Sequence, residues 1–369
     1  MGQGAALTTA TITIEEVLEA RKPEEIFGAE AAADEIKSVY KRLARDVHPD
    51  QNDDERASDA FVHLGRLYEL AKQAFEDETY GTSKSPMLDV VKISSKRNTY
   101  DIRKLLRTDQ VASYYDARFT DDDGEKEVII KVSRDRKDND LMAAEAKNIK
   151  AVLSDVDTFD EVSPYIPAYI ETFGFKSPSS KQARQASVFK TMPDYKFYTL
   201  EEVRQIKGAI DPRDMAWMFR RLLFTLGFLH SKGVIHGAIL PPNILIQPEA
   251  HGVILDNWVY SVQGSEKIKA IIPAYREWYP REVLNKELPG PGTDIYMAVQ
   301  CMNYLLGGNP ELSPVPQTVS RPLRSFFRGC TSAAMGRRPQ SAAELLDEFN
   351  ELIERMWGPR RFRPFDLVS

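Results

Sequence analysis

Cysteine and histidine are scarce in this chain, with two Cys and five His among 369 residues. Disulfide scaffolds and structural zinc sites need such residues at paired spacings. Cys301 and Cys330 have no such partner, and both stand in apolar, helix-like surroundings. They are expected to be buried free thiols, as suits a reducing cytoplasm. Long apolar runs are also missing: nothing approaches the ~18 residues that cross a bilayer, so no membrane partner is expected. The start, MGQGAALTTA, lacks the basic residues and apolar centre of a secretory signal, and Ala6 stands where a myristoylation motif carries Ser or Thr. A cytoplasmic protein is the expectation.

Positive charge is not in excess either, the formal net charge being −6. Residues 1–80 hold 9 Lys and Arg against 18 Asp and Glu; of the totals 49 and 55, this leaves 40 against 37 for the rest. The acidic excess thus belongs to the N-terminal part, and nothing in the totals calls for nucleic acid. Single cores stop growing at roughly 250–300 residues, so more than one module is expected.

From about Ala32 to Val47, Ile36, Val39, Tyr40, Leu43 and Val47 recur at three- and four-residue steps, the period of an amphipathic helix. Its other face carries Lys37, Lys41, Arg42 and Arg45. A second helix is read from about Glu55 to Phe75, with Phe61, Leu64, Tyr68, Ala71 and Phe75 as its apolar stripe. Between them lies HPDQNDD, where Pro49 cannot continue a helix and Asp53 or Asp54 can cap the next one. A basic helix, the tripeptide His48-Pro49-Asp50 and an aromatic-striped helix together resemble the J-domain of the DnaJ family, over roughly residues 24–76. The resemblance implies a helical hairpin that docks on a DnaK-type chaperone and stimulates its ATP hydrolysis. Lys37, Lys41, Arg42 and Arg45 would supply attraction, while His48, Pro49 and Asp50 would act at the partner. His48 has no second His or Cys in step with it, which argues against a metal site. Another helix usually follows in that family; here a Gly/Ser/Pro-containing stretch reads as a linker, residues 77–95.

Beyond it the pattern changes to strands. VASYYDARF and KEVIIKVS flank the turn TDDDGE as a hairpin, a helix is read at about 138–154, and strands follow near Ala168–Phe175 and Ala186–Met192 around the loop KSPSSKQARQ. After Asp211 the chain is mostly helical. LGFLHSKGVIHGAILPPNILI, residues 226–246, resembles the catalytic loop of protein kinases, and the resemblance extends over most of residues 98–355. That loop carries an Asp as base, a Lys on the transferring phosphate and an Asn on metal. Here His236 and Asn243 match, whereas Gly237 replaces an Arg, Ala238 the base and Leu240 the Lys. The same resemblance places Lys131 and Glu145 as the phosphate-binding Lys and its helix partner, Asp256 as a metal-binding Asp, Glu282 with Arg338 as an ion pair, and Asp294 as a brace of the loop. Arg107, Asp109 and Ala112 stand where three glycines would cradle phosphates, and nucleotide affinity should suffer. These retained groups also have a structural reading, as ion pairs, a helix brace and a core histidine.

The expectation is therefore an α+β chain: a helical J-domain hairpin (1–76), a linker (77–95), a two-lobed kinase-like fold with a small β-rich and a large α-helical lobe (96–355), and a basic tail (356–369). It implies a co-chaperone with a catalytically dead kinase-like module that holds an unknown protein client. No cofactor is required, although Lys131, Glu145, Asn243 and Asp256 could be remnants of an ATP and Mg²⁺ site. The alternatives are a kinase-fold enzyme with atypical ATP-dependent transfer, such as nucleotidyl transfer, and a purely structural scaffold.

Overall fold

The computed structural model describes residues 12–54, 56–86, 91–154, 159–176, 183–192, 195–310 and 315–367. Ala6, the start of the second helix at Glu55, positions 87–90 of the expected linker and most of the loop KSPSSKQARQ lie outside the described residues. The chain mixes helix and sheet, a helical N-terminal region being followed by a sheet-rich one. It divides into two compact units, Met1–Arg134 with Gly174–Ala183, and Asp135–Phe173 with Arg184–Ser369.

The first unit begins with two short helices, α1 (Ile14–Glu19) and α2 (Pro23–Phe27), ahead of the hairpin α3 (Ala33–Asp46) and α4 (Ala57–Glu76). Ile36, Leu43, Val47, Leu64, Leu67 and Ala71 meet in one core with Val17 of α1 and Ile26 and Phe27 of α2. Tyr40 stacks on Tyr68 at 4.1 Å between centroids, and Phe27 meets Tyr68 edge-on at 6.3 Å. Such ring pairs contribute about 0.5–1.5 kcal/mol each beyond their buried area, so the stripe read from the sequence is what fixes the two helices together. Four antiparallel strands follow in sequential order: β1 (Val91–Ser94), β2 (Thr99–Thr108), β3 (Ala112–Asp121) and β4 (Gly124–Ser133). β3 and β4 pair from Ala112↔Ser133 to Asp121↔Gly124, so the expected hairpin turns at Asp122-Asp123.

The division at Arg134 differs from the expected boundary at residue 95. The helices and β1–β4 share one unit because α1 sits on β2, where Lys104 Nζ reaches Glu15 Oε1 at 2.6 Å and Glu19 Oε1 at 2.5 Å. Nor is the stretch after α4 all linker. Tyr80 stacks on Phe75 at 4.5 Å and its hydroxyl donates to Gly28 O at 2.8 Å, while the Gly81 amide donates to Glu24 Oε1 at 2.9 Å. An aromatic ring with one donor returns the chain to α2.

The second unit carries α5 (Asn139–Leu153), α6 (Phe159–Val162), most of β5 (Tyr169–Lys176) and of β6 (Ala183–Lys190), whose residues 174–176 and 183 belong to the first, then β7 (Tyr198–Thr199), α7 (Leu200–Lys207) and α8 (Pro212–Ser231). Then come β8 (Val234–Ile235), β9 (Ile244–Gln247), β10 (Gly252–Leu255), β11 (Val262–Gln263), α9 (Arg281–Leu284), α10 (Pro291–Leu305), α11 (Arg321–Cys330) and α12 (Ala342–Trp357). α8 starts as Asp211 accepts the Arg213 amide at 2.8 Å with Pro212 at its first position. Its Phe219 packs edge-on against Phe327 of α11 and Phe349 of α12, which puts the helical core there. β9 pairs antiparallel with both β7 and β10, and β8 pairs with β11.

Both cysteines are buried free thiols, and burial pushes the Cys330 thiol up to about 12. The basic tail packs in part against the chain. Phe365 and Leu367 are buried, Phe362 stacks on His251 at 4.5 Å, His251 stacks on Trp217 at 4.1 Å, and Arg363 lies 3.3 Å from Asp214. Two aromatic residues among the arginines supply the apolar area that the charge count conceals. Among the described residues no helix is long and apolar enough to cross a membrane.

His63 of α4 donates from Nε2 to Ala20 O at 2.7 Å, and burial holds its pKa below the ordinary histidine value. A depressed pKa means that the unfolded chain takes up the proton first. The His63 contribution to stability is thus complete above about pH 6.5 and is lost as pH falls below it. In thermal unfolding between about pH 7 and pH 5, the His63→Gln variant, which keeps an amide donor, should lose less midpoint than the unaltered chain.

Candidate functional site

His48, Pro49 and Asp50 stand at the tip of the α3–α4 hairpin. The α3 helix ends as the Val47 amide bonds Leu43 O at 2.9 Å, and the His48 amide then bonds Arg45 O at 3.3 Å. The His48 ring lies edge-on against Phe61 of α4 at 5.1 Å. Its Nδ1 accepts the Asp50 amide at 3.1 Å, so in the neutral ring the proton sits on Nε2. Below the tip, Asn52 donates to Asp46 O at 2.8 Å and accepts the Asp54 amide at 3.0 Å. Neither Asp53 nor Asp54 is the N-cap of α4: that position is Arg56, which has no side-chain cap, while Asp54 accepts the Arg56 amide at 2.8 Å just ahead of the helix and the Arg56 guanidinium holds its carboxyl below the usual carboxylate range. With its loop pinned from beneath, the tip presents an Asp50 side chain that is 86% exposed and a His48 side chain that is 37% exposed.

Lys37, Lys41, Arg42 and Arg45 are all exposed on α3, while Ile36 and Leu43 on its opposite side are buried. Positions 37, 41 and 45 fall at four-residue steps and share one face. The result is a positive stripe that runs toward the tripeptide in an otherwise acidic region, a shape suited to steering an acidic surface. The hairpin thus brings all seven expected partner-binding residues together.

In the second unit His236, Asn243 and Asp256 lie along a segment held by Asp294 of α10. Its buried carboxylate accepts the His236 amide at 2.8 Å, the Gly237 amide at 2.9 Å and His230 Nε2 at 3.1 Å. The segment so held contains Ala238, which is fully buried. Ala238 O accepts from Asn243 Nδ2 at 2.9 Å, and Asn243 O accepts the Asp256 amide at 2.8 Å, so Asn243 and Asp256 are neighbours. The Asn243 Oδ1 is engaged by Asn257 Nδ2 at 3.1 Å. Asn257 was not singled out from the sequence, yet it adopts a left-handed backbone, φ 63°, which Asn tolerates better than most residues. Its place directly after Asp256 was the available signal. Arg338 and Glu282 form a buried two-pronged pair at 2.6 and 3.1 Å, with the remaining guanidinium hydrogens directed to the carbonyls of Ser332, Gly292 and Ala333. Lys131, on β4 of the first unit, is 1% exposed with its Nζ 5.2 Å from the Tyr114 ring centre. Glu145 is buried on α5 of the second unit.

Residues 27–79 match the DnaJ domain family model, so this part of the chain is a J-domain. Among curated proteins, DnaJ homolog 1, mitochondrial, of Schizosaccharomyces pombe is 46% identical over 56 residues, 14% of this chain and 10% of that protein. Chaperone protein DnaJ 2 of Streptomyces coelicolor is 33% identical over 58 residues, 16% of this chain and 15% of that protein. The matched stretches are thus a small part of these relatives' length. Serine/threonine-protein kinase CST20 of Candida albicans is 26% identical over 153 residues, 35% of this chain and 12% of that protein.

Gly237, where kinases carry an Arg, has φ 75°, and a Cβ on it would stand 2.8 Å from Tyr260 O. Gly237→Ala should therefore cost about 1–3 kcal/mol, from left-handed backbone strain and a contact with main chain that cannot swing away. Equilibrium urea unfolding followed by tryptophan fluorescence measures it.

Proposed function

We propose that this protein is a co-chaperone that recruits a DnaK-type chaperone through its J-domain and stimulates that chaperone's ATP hydrolysis. One observation carries the reading: His48-Pro49-Asp50 is held open to solvent at the end of a stripe of four exposed cations. The J-domain match over residues 27–79 and the names of the relatives, a DnaJ homolog and a chaperone protein DnaJ, support it. The J-domain performs no chemistry itself; it acts on a partner's active site.

Residues 98–355 are, in this proposal, a kinase-like module without phosphotransfer activity. The partial likeness to a serine/threonine-protein kinase supports the fold reading, as do the loop amides held by Asp294, the adjacency of Asn243 and Asp256, and the buried Glu282–Arg338 pair. The Ala238 methyl offers neither an acceptor for a hydroxyl proton nor a charge for the transition state. Such a module retains a shaped surface for a protein client. Joining it to the J-domain would raise the local concentration of chaperone at whatever it holds.

Single-turnover ATP hydrolysis by a DnaK-type chaperone should accelerate with increasing amounts of this chain and stay at the basal rate with a His48→Gln variant. Equal acceleration by the variant, or none by the unaltered chain, would sink the proposal.

A further inference from the structure

The β2–β3 hairpin, residues 107–112, occupies the place where the kinase resemblance puts a phosphate-cradling glycine loop. A loop that holds phosphate does so with amide hydrogens left open toward the ligand. Here the amides of Asp109, Val111 and Ala112 are spent within the loop. The Val111 and Ala112 amides both donate to Asp109 Oδ1 at 2.8 Å, and the Asp109 amide donates to Ala112 O at 2.9 Å. The second carboxylate oxygen of Asp109 accepts the Tyr114 hydroxyl at 2.9 Å and lies 3.7 Å from the Arg107 guanidinium. Arg134 closes the loop from outside, its guanidinium donating to Asp109 O at 2.8 Å and its amide to Val111 O at 2.8 Å.

The cations of this region are drawn to the same feature. The Arg107 guanidinium sits 3.5 Å from the Tyr114 ring centre and Lys131 Nζ 5.2 Å from it, and Tyr114 itself is 5% exposed. One carboxylate therefore faces two amides, a phenol and a guanidinium, the set of donors that a phosphate oxygen would seek. We infer that this hairpin is a phosphate-type anion site occupied in cis by the carboxylate of Asp109, which shuts nucleoside triphosphate out. An arriving triphosphate would have to break two charge-assisted amide bonds and approach a fixed negative charge at the same time. The unit accordingly works without nucleotide, and the ATP of the proposed cycle is the partner chaperone's alone.

The inference rests on the kinase-like reading only for the identity of the excluded ligand, so the test uses two probes. Full-length Asp109→Ala should melt roughly 2–8 °C lower than the unaltered chain. Tripolyphosphate at millimolar concentration should raise that midpoint by several degrees and leave the unaltered chain's unchanged, because a ligand stabilises only the form that can take it up. Hydrogen exchange at Val111 and Ala112 should be slow in the unaltered chain, fast in the variant and slow again with tripolyphosphate. A rise in the unaltered chain, or no response in either protein, would overturn the inference. Should Asp109→Ala fail to fold, Asp109→Gly decides, since it likewise frees both amides and removes the charge: a rise with tripolyphosphate supports cis occupancy, and a flat response overturns it. Mg·ATP is the second probe. If tripolyphosphate restores the variant and Mg·ATP does not, the anion site stands and the kinase-like reading of this hairpin falls.

Discussion

The contact on which the account depends is the His48 ring seated against Phe61, with Nδ1 turned to the Asp50 amide. A loop that presents residues to another protein must be fixed by bonds that leave the presented atoms available. Here the fixing is done from below: Phe61 meets the imidazole edge-on, Asn52 ties the loop to the end of α3, and Asp54 holds Arg56 just ahead of α4. The Asp50 carboxylate is left outward. The core beneath, with Tyr40 stacked on Tyr68, keeps the two helices in register, so the tip inherits its geometry from aromatic packing some three turns away.

The second unit repeats this economy with a different device. A single buried carboxylate, Asp294, takes two successive main-chain amides and a histidine, and thereby sets the path of the segment around Ala238. Such a buried charge is tolerable because it is surrounded by donors. The segment held in this way carries a buried methyl group at Ala238. Gly237 belongs to the same economy: its positive φ and the nearby Tyr260 carbonyl leave no room for a side chain. No larger residue could enter there without rebuilding the segment.

Much of this was legible in the sequence where period and residue type agreed. The α3 and α4 stripes, the strands β3 and β4 and the long helix α8 all repeat apolar residues at the period of the element they form. The residues expected to meet a partner fall on one exposed surface because they sit contiguously or near four-residue steps on α3 and at its end. What the sequence concealed was placement that depends on single side chains. β2 was obscured by Arg103, Lys104 and Arg107 among its apolar residues, and the contact of α1 with β2 runs through one lysine meeting two glutamates. Tyr80 and Phe365 each convert a stretch of polar composition into packed chain, an effect that average composition cannot show. Asp109 was read as standing where a glycine would cradle phosphate; its bonding to the loop's own amides is a three-dimensional fact that no spacing announces.

The most direct measurement is the hydrogen-exchange footprint of the full chain with a DnaK-type chaperone held in its ATP state. The account predicts slowed exchange concentrated in residues 33–52, the basic helix and the tip, with the effect weakening as salt rises because four exposed cations supply the attraction. A footprint that left these residues unchanged, or that fell wholly on the second unit, would contradict it.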